Sequence, residues 1–205
     1  ECDLCIMKPE TCHYHLGTCR EDDFAHNVCF QPHIVYLANS SALKIGITRI
    51  DNMPSRWLDQ GATQALPILK VGSRRLSGHL ETMFGTQIAD KTDWRKLLKG
   101  EAEPLDLIEQ RDQILEEFAP KIQTIRDEFS QNLEFQETVE FLENELPREF
   151  MYPVEHYPEK IKSLNLDKTP TIRGVLQGIK GQYLLFDIGV INIRKYTGYE
   201  LILRV

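Results

Sequence analysis

The sequence predicts an α+β fold built from four unlike segments, and three observations carry that reading. All five cysteines, Cys2, Cys5, Cys12, Cys19 and Cys29, fall in the first 29 residues, with His13, His15 and His26 among them and His33 just beyond. From residue 34 to 99, short apolar runs alternate with one apolar pattern of three- and four-residue spacing, as strands and a packed helix require. From Tyr152 onward, β-branched and aromatic runs are broken by glycines, as in a small antiparallel barrel or sheet. The expected order is a cysteine-rich metal knuckle over 1–33, an α/β module over 34–100, an acidic helical segment over 101–150 and a β-rich part over 151–205.

The knuckle is expected because this stretch has little apolar surface from which to build a core. Cys2-x2-Cys5 places two thiols on one tight turn, and tetrahedral zinc needs two more ligands from a second turn. Cys12 and Cys19 in "CHYHLGTC" supply them in the preferred set of Cys2, Cys5, Cys12 and Cys19; His15 and Cys29 are alternatives. Four cysteines also suit an iron–sulfur cluster, but interleaved histidines favour structural zinc. An odd cysteine count with no secretory signal argues against a disulfide framework.

In the α/β module, Ile34-Val35-Tyr36-Leu37 and Leu43-Lys44-Ile45-Gly46-Ile47 flank a turn-like Ala-Asn-Ser-Ser-Ala. Tyr36 and Lys44 stand at matching points of this hairpin. "MPSRWLDQG" reads as a short helix stopped by Gly61, and "ALPILKV" as a third strand that Pro67 assigns to an edge or a strand start. Ser73 caps a helix carrying Leu76, Leu80, Met83, Phe84 and Ile88, and "DWRKLLKG" ends on Gly100 as a helix C-cap. The acidic segment reads as amphipathic helices interrupted near Pro120. The C-terminal runs predict strands near 171–177, 182–187, 190–194 and 199–204.

Charge is divided along the chain. The net charge is −7, yet residues 34–99 carry 10 basic and 5 acidic side chains, whereas 100–149 carry 4 and 15. A local basic field attracts phosphate even in an acidic chain. No apolar run is long enough to span a bilayer, so a cytoplasmic protein without a membrane partner is expected. The chain opens on Glu1 with a cysteine at position 2, which suggests a piece of a longer protein.

Tyr36, Lys44, Arg56 and Glu81 are the candidate catalytic residues, because together they suit phosphodiester chemistry. A carboxylate holds a divalent ion, an arginine stabilises charge at phosphorus, and a tyrosine with a lysine organises water. "IVY" followed by "KIG", then Arg56, a strand and Glu81 on a helix, resembles the GIY-YIG nuclease superfamily. "KIGIT" followed by Arg49 is similar to the branch in which the second tyrosine is replaced. The resemblance implies a three-stranded antiparallel sheet flanked by helices. It also implies metal-dependent cleavage with Tyr36, Arg56 and Glu81 catalytic and Mg or Mn held by Glu81. Two positions depart from the pattern: Ile34 stands where the first motif has glycine, and Lys44 where the second has tyrosine.

A resemblance spanning nearly the whole chain is to the bacterial family DUF2797, through "CDLC…CHYHLGTCRE", "VYLANSS…KIGITR", "RWLDQGATQALPI", "ADKTDWR" and "SLNLDKTP…GIKGQYLLFDIGVINIRKYTGYE". It implies a longer protein with another cysteine-rich segment. It also marks Trp57, Gln60, Lys91 and Asp93 as secondary candidates. Arg49, Trp57, Gln60 and Lys91 are the expected nucleic-acid contacts. The expected function is a metal-dependent endonuclease acting on DNA or RNA. The alternatives are a non-catalytic nucleic-acid-binding protein with a degenerate nuclease module, and a protein-interaction scaffold using the acidic helices.

Overall fold

The computed structural model describes residues 2–88, 93–130 and 138–204, with N-terminal side chains from residue 4 onward. The fold is mixed α+β with antiparallel sheets. A short helix α1 (Cys2–Met7) opens it, followed by single 3₁₀ turns at Pro9–Thr11 and Tyr14–Leu16. Then α2 (Asp22–Phe24) runs into a wider turn at Ala25–Cys29.

The central sheet begins with β1 (His33–Asn39) and β2 (Leu43–Arg49), paired antiparallel with Tyr36 opposite Gly46 and Lys44 opposite Ala38. The helix α3 (Ser55–Asp59) leads to β3 (Gln64–Val71), which pairs with the other side of β1. Strand alternation divides β1 between two cores. Val35 and Leu37 join Leu66, Leu69 and the apolar face of α4 (Arg74–Phe84), while Ile34, Tyr36 and Ala38 join Trp57 and Ala62. Ser73 caps α4 as expected, accepting from the Leu76 amide at 3.1 Å.

From α5 (Trp94–Leu97) onward, the structure departs from expectation in several places. Leu98, not Gly100, caps α5. A single helix α6 (Leu107–Ser130) runs straight through Pro120. Pro120 is exposed, so the helix carbonyl it leaves unpaired faces water, and Phe118 and Ile122 on either side stay in the core. The same acidic segment also yields β4 (Val139–Phe141) and β5 (Arg148–Glu149), both paired with β3. Pro67 therefore lies inside a central strand. It is tolerated there because β4 pairs with Leu69–Val71 and β5 with Gln64–Ala65, so neither ladder needs an amide from residue 67.

The C-terminal part is an open three-stranded sheet, with no closed barrel: β6 (Leu176–Lys180), β7 (Tyr183–Phe186) and β8 (Gly189–Asn192). The strand expected near 199–204 is not formed. Leu201, Ile202 and Leu203 are exposed and have no sheet partner to cover them. Trp94 stacks on Tyr183 with rings nearly parallel at 6.2 Å, and Leu97 and Leu98 pack with Leu185 and Val190. These contacts seat the C-terminal sheet against the module that carries the site. No described helix is long and apolar enough to cross a membrane.

Candidate functional site

The hairpin places the first two candidates. Tyr36 and Lys44 fall on the same face because residues 36 and 38 on β1 alternate in step with 46 and 44 on β2. Tyr36 is fully buried and Lys44 is 4% exposed. Gly46 is what lets the tyrosine ring lie across β2. A Cβ at that position would meet Tyr36 Cζ and the phenol oxygen at 2.7 Å. The glycine of "KIG" thus answers to a specific ring.

Gln60, on the turn that leaves α3, joins the pair. Its Oε1 accepts from the Tyr36 hydroxyl at 2.9 Å and from Lys44 Nζ at 2.8 Å. The turn is shaped by Gly61, which has a left-handed φ of 70°. One oxygen therefore serves two donors, each of which needs an acceptor once buried.

Arg56 on α3 and Glu81 on α4 complete the neighbourhood, since both act on Tyr36 and on Lys44. Burial pushes the Tyr36 hydroxyl up to about 12, with Arg56 pulling down and Glu81 pushing up. Burial also lowers the Lys44 amine to about 8, helped by the positive charge of Arg56 and opposed by Glu81. The consequences differ. Tyr36 stays a phenol at any ordinary pH, whereas Lys44 gains a neutral fraction near neutrality and so can accept a proton. Glu81 is half-buried on a helix whose Leu80, Met83 and Phe84 are fixed in the core, and its charge reaches both Tyr36 and Lys44. An oxygen ligand so placed suits a hard divalent cation.

The remaining candidates fall elsewhere. Arg49 ends β2 opposite His33, on the face away from Lys44, and its charge acts on His33. Trp57 is fully buried, with its ring against Tyr36 at 5.7 Å and Phe150 at 6.1 Å, so it packs the site from behind and offers nucleic acid no surface. Asp93 caps α5 by accepting from the Arg95 and Lys96 amides. Lys91 lies outside the described residues. What sequence reasoning missed is the role of Gln60. In the sequence it stands as a secondary candidate and an expected nucleic-acid contact, and nothing local in "DQGATQ" reveals which of its polar groups turns inward.

In the cysteine segment, Cys5, Cys12, Cys19 and Cys29 form no disulfide among the described residues, and the side chain of Cys2 lies outside those described. Arg74, at the start of α4, donates to the carbonyls of Cys5 and Ile6. The same guanidinium acts on Cys29. Burial pushes that thiol up, Arg74 pulls it down, and Cys12 and Cys5 push it up again. Cys29 thus shares a neighbourhood with Cys5 and Cys12. Cys19 instead turns to the Glu21 carbonyl at 3.7 Å. Among the described residues, no group of three or more His, Cys, Asp and Glu side chains forms a ready metal-holding array.

Comparison with curated proteins and with solved structures finds no match. A family model described as "Protein of unknown function (DUF2797)" matches residues 1–201, and the chain belongs to that family.

Proposed function

We propose that this protein is a metal-dependent phosphodiesterase of GIY-YIG type acting on nucleic acid. The observation that carries the reading is the convergence of Tyr36, Lys44, Arg56, Gln60 and Glu81 from two strands and two helices. The antiparallel order β2-β1-β3, with α4 packed on it, supports the same reading. So does the basic excess over residues 34–99, which favours a polyanionic substrate.

Each residue has a distinct task. Glu81 would hold a divalent ion, Mg or Mn, which when bound supplies positive charge at the scissile phosphate. Arg56 stabilises charge developing on the phosphoryl oxygens. Lys44, in its neutral form, takes the proton from the attacking water. Tyr36 remains protonated and orients by donation. Gln60 holds both donors in register between turnovers.

One observation favours a second reading, a nucleic-acid-binding protein without catalysis. Tyr36 and Lys44 both spend a donor on Gln60, as a purely structural network would. Incubation with Mg²⁺ or Mn²⁺ and labelled single-stranded, duplex and structured substrates separates the two. Cleavage that disappears in Glu81→Ala supports the enzyme. A salt-sensitive mobility shift without cleavage supports the binder. Neither cleavage nor shift leaves the scaffold.

The cysteine segment is read as a structural zinc knuckle standing in for an apolar core, with iron–sulfur ligation the less favoured chemistry. Cys2, Cys5, Cys12 and Cys19 remain the preferred ligand set, and Cys29, on which the charges of Cys5 and Cys12 act, is the alternative fourth thiol.

A further inference from the structure

The C-terminal part meets the site at the turn that carries Gln60. Tyr152 spans this turn: its hydroxyl lies 3.2 Å from the Leu58 carbonyl and 2.9 Å from the Ala62 carbonyl, on the two sides of Gln60. Gly181, at the β6–β7 turn, presses on the same backbone. A Cβ there would meet the Asp59 oxygen at 2.8 Å and the Gly61 nitrogen at 3.0 Å. Lys180, beside it, is fully buried. Its Nζ donates to the Gly100 carbonyl at 2.8 Å and lies over the Tyr157 ring at 5.0 Å and the Tyr152 ring at 5.8 Å. Leu58, Asp59, Gly61 and Ala62 are thus all held from the C-terminal side, and the one residue between them points its side chain to Tyr36 and Lys44.

We propose that Tyr152 and Gly181 are positioning residues that lock the 58–62 turn and thereby set the Gln60 oxygen between Tyr36 and Lys44. The C-terminal sheet is then a working part of the site, although it contributes no group to the chemistry. The catalytic meaning of this lock rests on the phosphodiesterase reading; the lock itself does not.

The test uses the whole chain and reads Lys44, whose surroundings are Tyr36, Gln60, Arg56 and Glu81. The side-chain ammonium of Lys44 is followed by NMR as pH is raised, in wild type, Gly181→Ala, Tyr152→Phe and Gly198→Ala. Gly198 is the control. Its φ of 88° is also left-handed, but a Cβ there meets nothing within 4 Å. Displacing the turn admits water to Lys44, so its titration midpoint rises toward that of an ordinary lysine, by about half a pH unit or more. That rise is expected in Gly181→Ala and Tyr152→Phe and not in Gly198→Ala. If Gly181→Ala fails to fold, Tyr152→Phe, which removes a single oxygen, carries the test.

A Lys44 midpoint unchanged in folded Tyr152→Phe and Gly181→Ala overturns the proposal, as does an equal shift in Gly198→Ala. If wild-type protein cleaves nothing, the phosphodiesterase reading falls while the Lys44 titration still decides the lock. If it cleaves, the pH midpoint of the rate moves with that of Lys44.

Discussion

Tyr36 and Lys44 aim their donors at the same oxygen: the phenol stands 2.9 Å and the ammonium 2.8 Å from Gln60 Oε1. They come from adjacent strands and reach one acceptor on a third element. Burial then treats them oppositely, holding the phenol protonated and loosening the proton of the amine.

If the protein cleaves phosphodiesters as proposed, this difference makes Lys44 the base. Lys44 can accept a proton only when neutral, and its neutral fraction grows as pH rises through about 8. The cleavage rate should therefore increase about tenfold per pH unit below that point and level off above it. A base at Tyr36 would keep the rate rising toward about 12. A pH–rate profile at saturating metal distinguishes them.

Arg56→Ala should lower the cleavage rate by roughly 10²–10³-fold, the scale for losing one preorganised charge at a developing oxyanion. Arg56 is only half-buried, so the loss of thermal stability should be small beside the loss of rate. Parallel rate and melting measurements check both halves.

Gly46→Ala tests the packing of the hairpin. The new Cβ would lie 2.7 Å from two atoms of a fully buried ring. The expected loss is about 1–3 kcal/mol in denaturant unfolding, as for other overpacked cores. A neutral outcome would mean that the Tyr36 ring is free to move.

His33 makes stability depend on acid. It is buried at the start of β1, with Nδ1 2.7 Å from the Gln31 carbonyl, and burial lowers it to about 4, against 6.5 for an ordinary histidine. The unfolded chain therefore takes up this proton first as pH falls. Stability is retained above pH 6.5 and declines between 6.5 and 4, by on the order of 2–3 kcal/mol. Unfolding at pH 7 and pH 5 should show the decline in wild type and a smaller one in His33→Gln.

Metal retention tests the thiol set. If the cysteine segment holds zinc as proposed, Cys12→Ser should release it from purified protein, and Cys19→Ser and Cys29→Ser compared side by side by elemental analysis identify the fourth thiol. Loss in Cys19→Ser alone supports the set Cys2, Cys5, Cys12 and Cys19, and loss in Cys29→Ser alone puts Cys29 in its place.

The sequence shows its local features well and its distant pairings poorly. The hairpin follows from two apolar runs and a short polar turn. The helix of Glu81 follows from Leu76, Leu80, Met83 and Phe84 at helical spacing. Both depend on neighbours within one or two turns of chain. Gln60 needed the fold, because its partners lie 24 and 16 residues away. The pairing of β4 and β5 with β3 is hidden for the same reason, and three and two residues are too few to establish strand alternation. Pro120 misled because its effect depends on which face it occupies, and it occupies the wet one.

The most direct measurement of the central claim is metal-dependent cleavage of labelled nucleic acid by wild type, Glu81→Ala and Lys44→Met side by side. Wild type should cleave with Mg²⁺ or Mn²⁺, Glu81→Ala should not cleave, and Lys44→Met should lose most of the activity. Cleavage undiminished in Glu81→Ala, or absent from wild type on every substrate form, contradicts that claim.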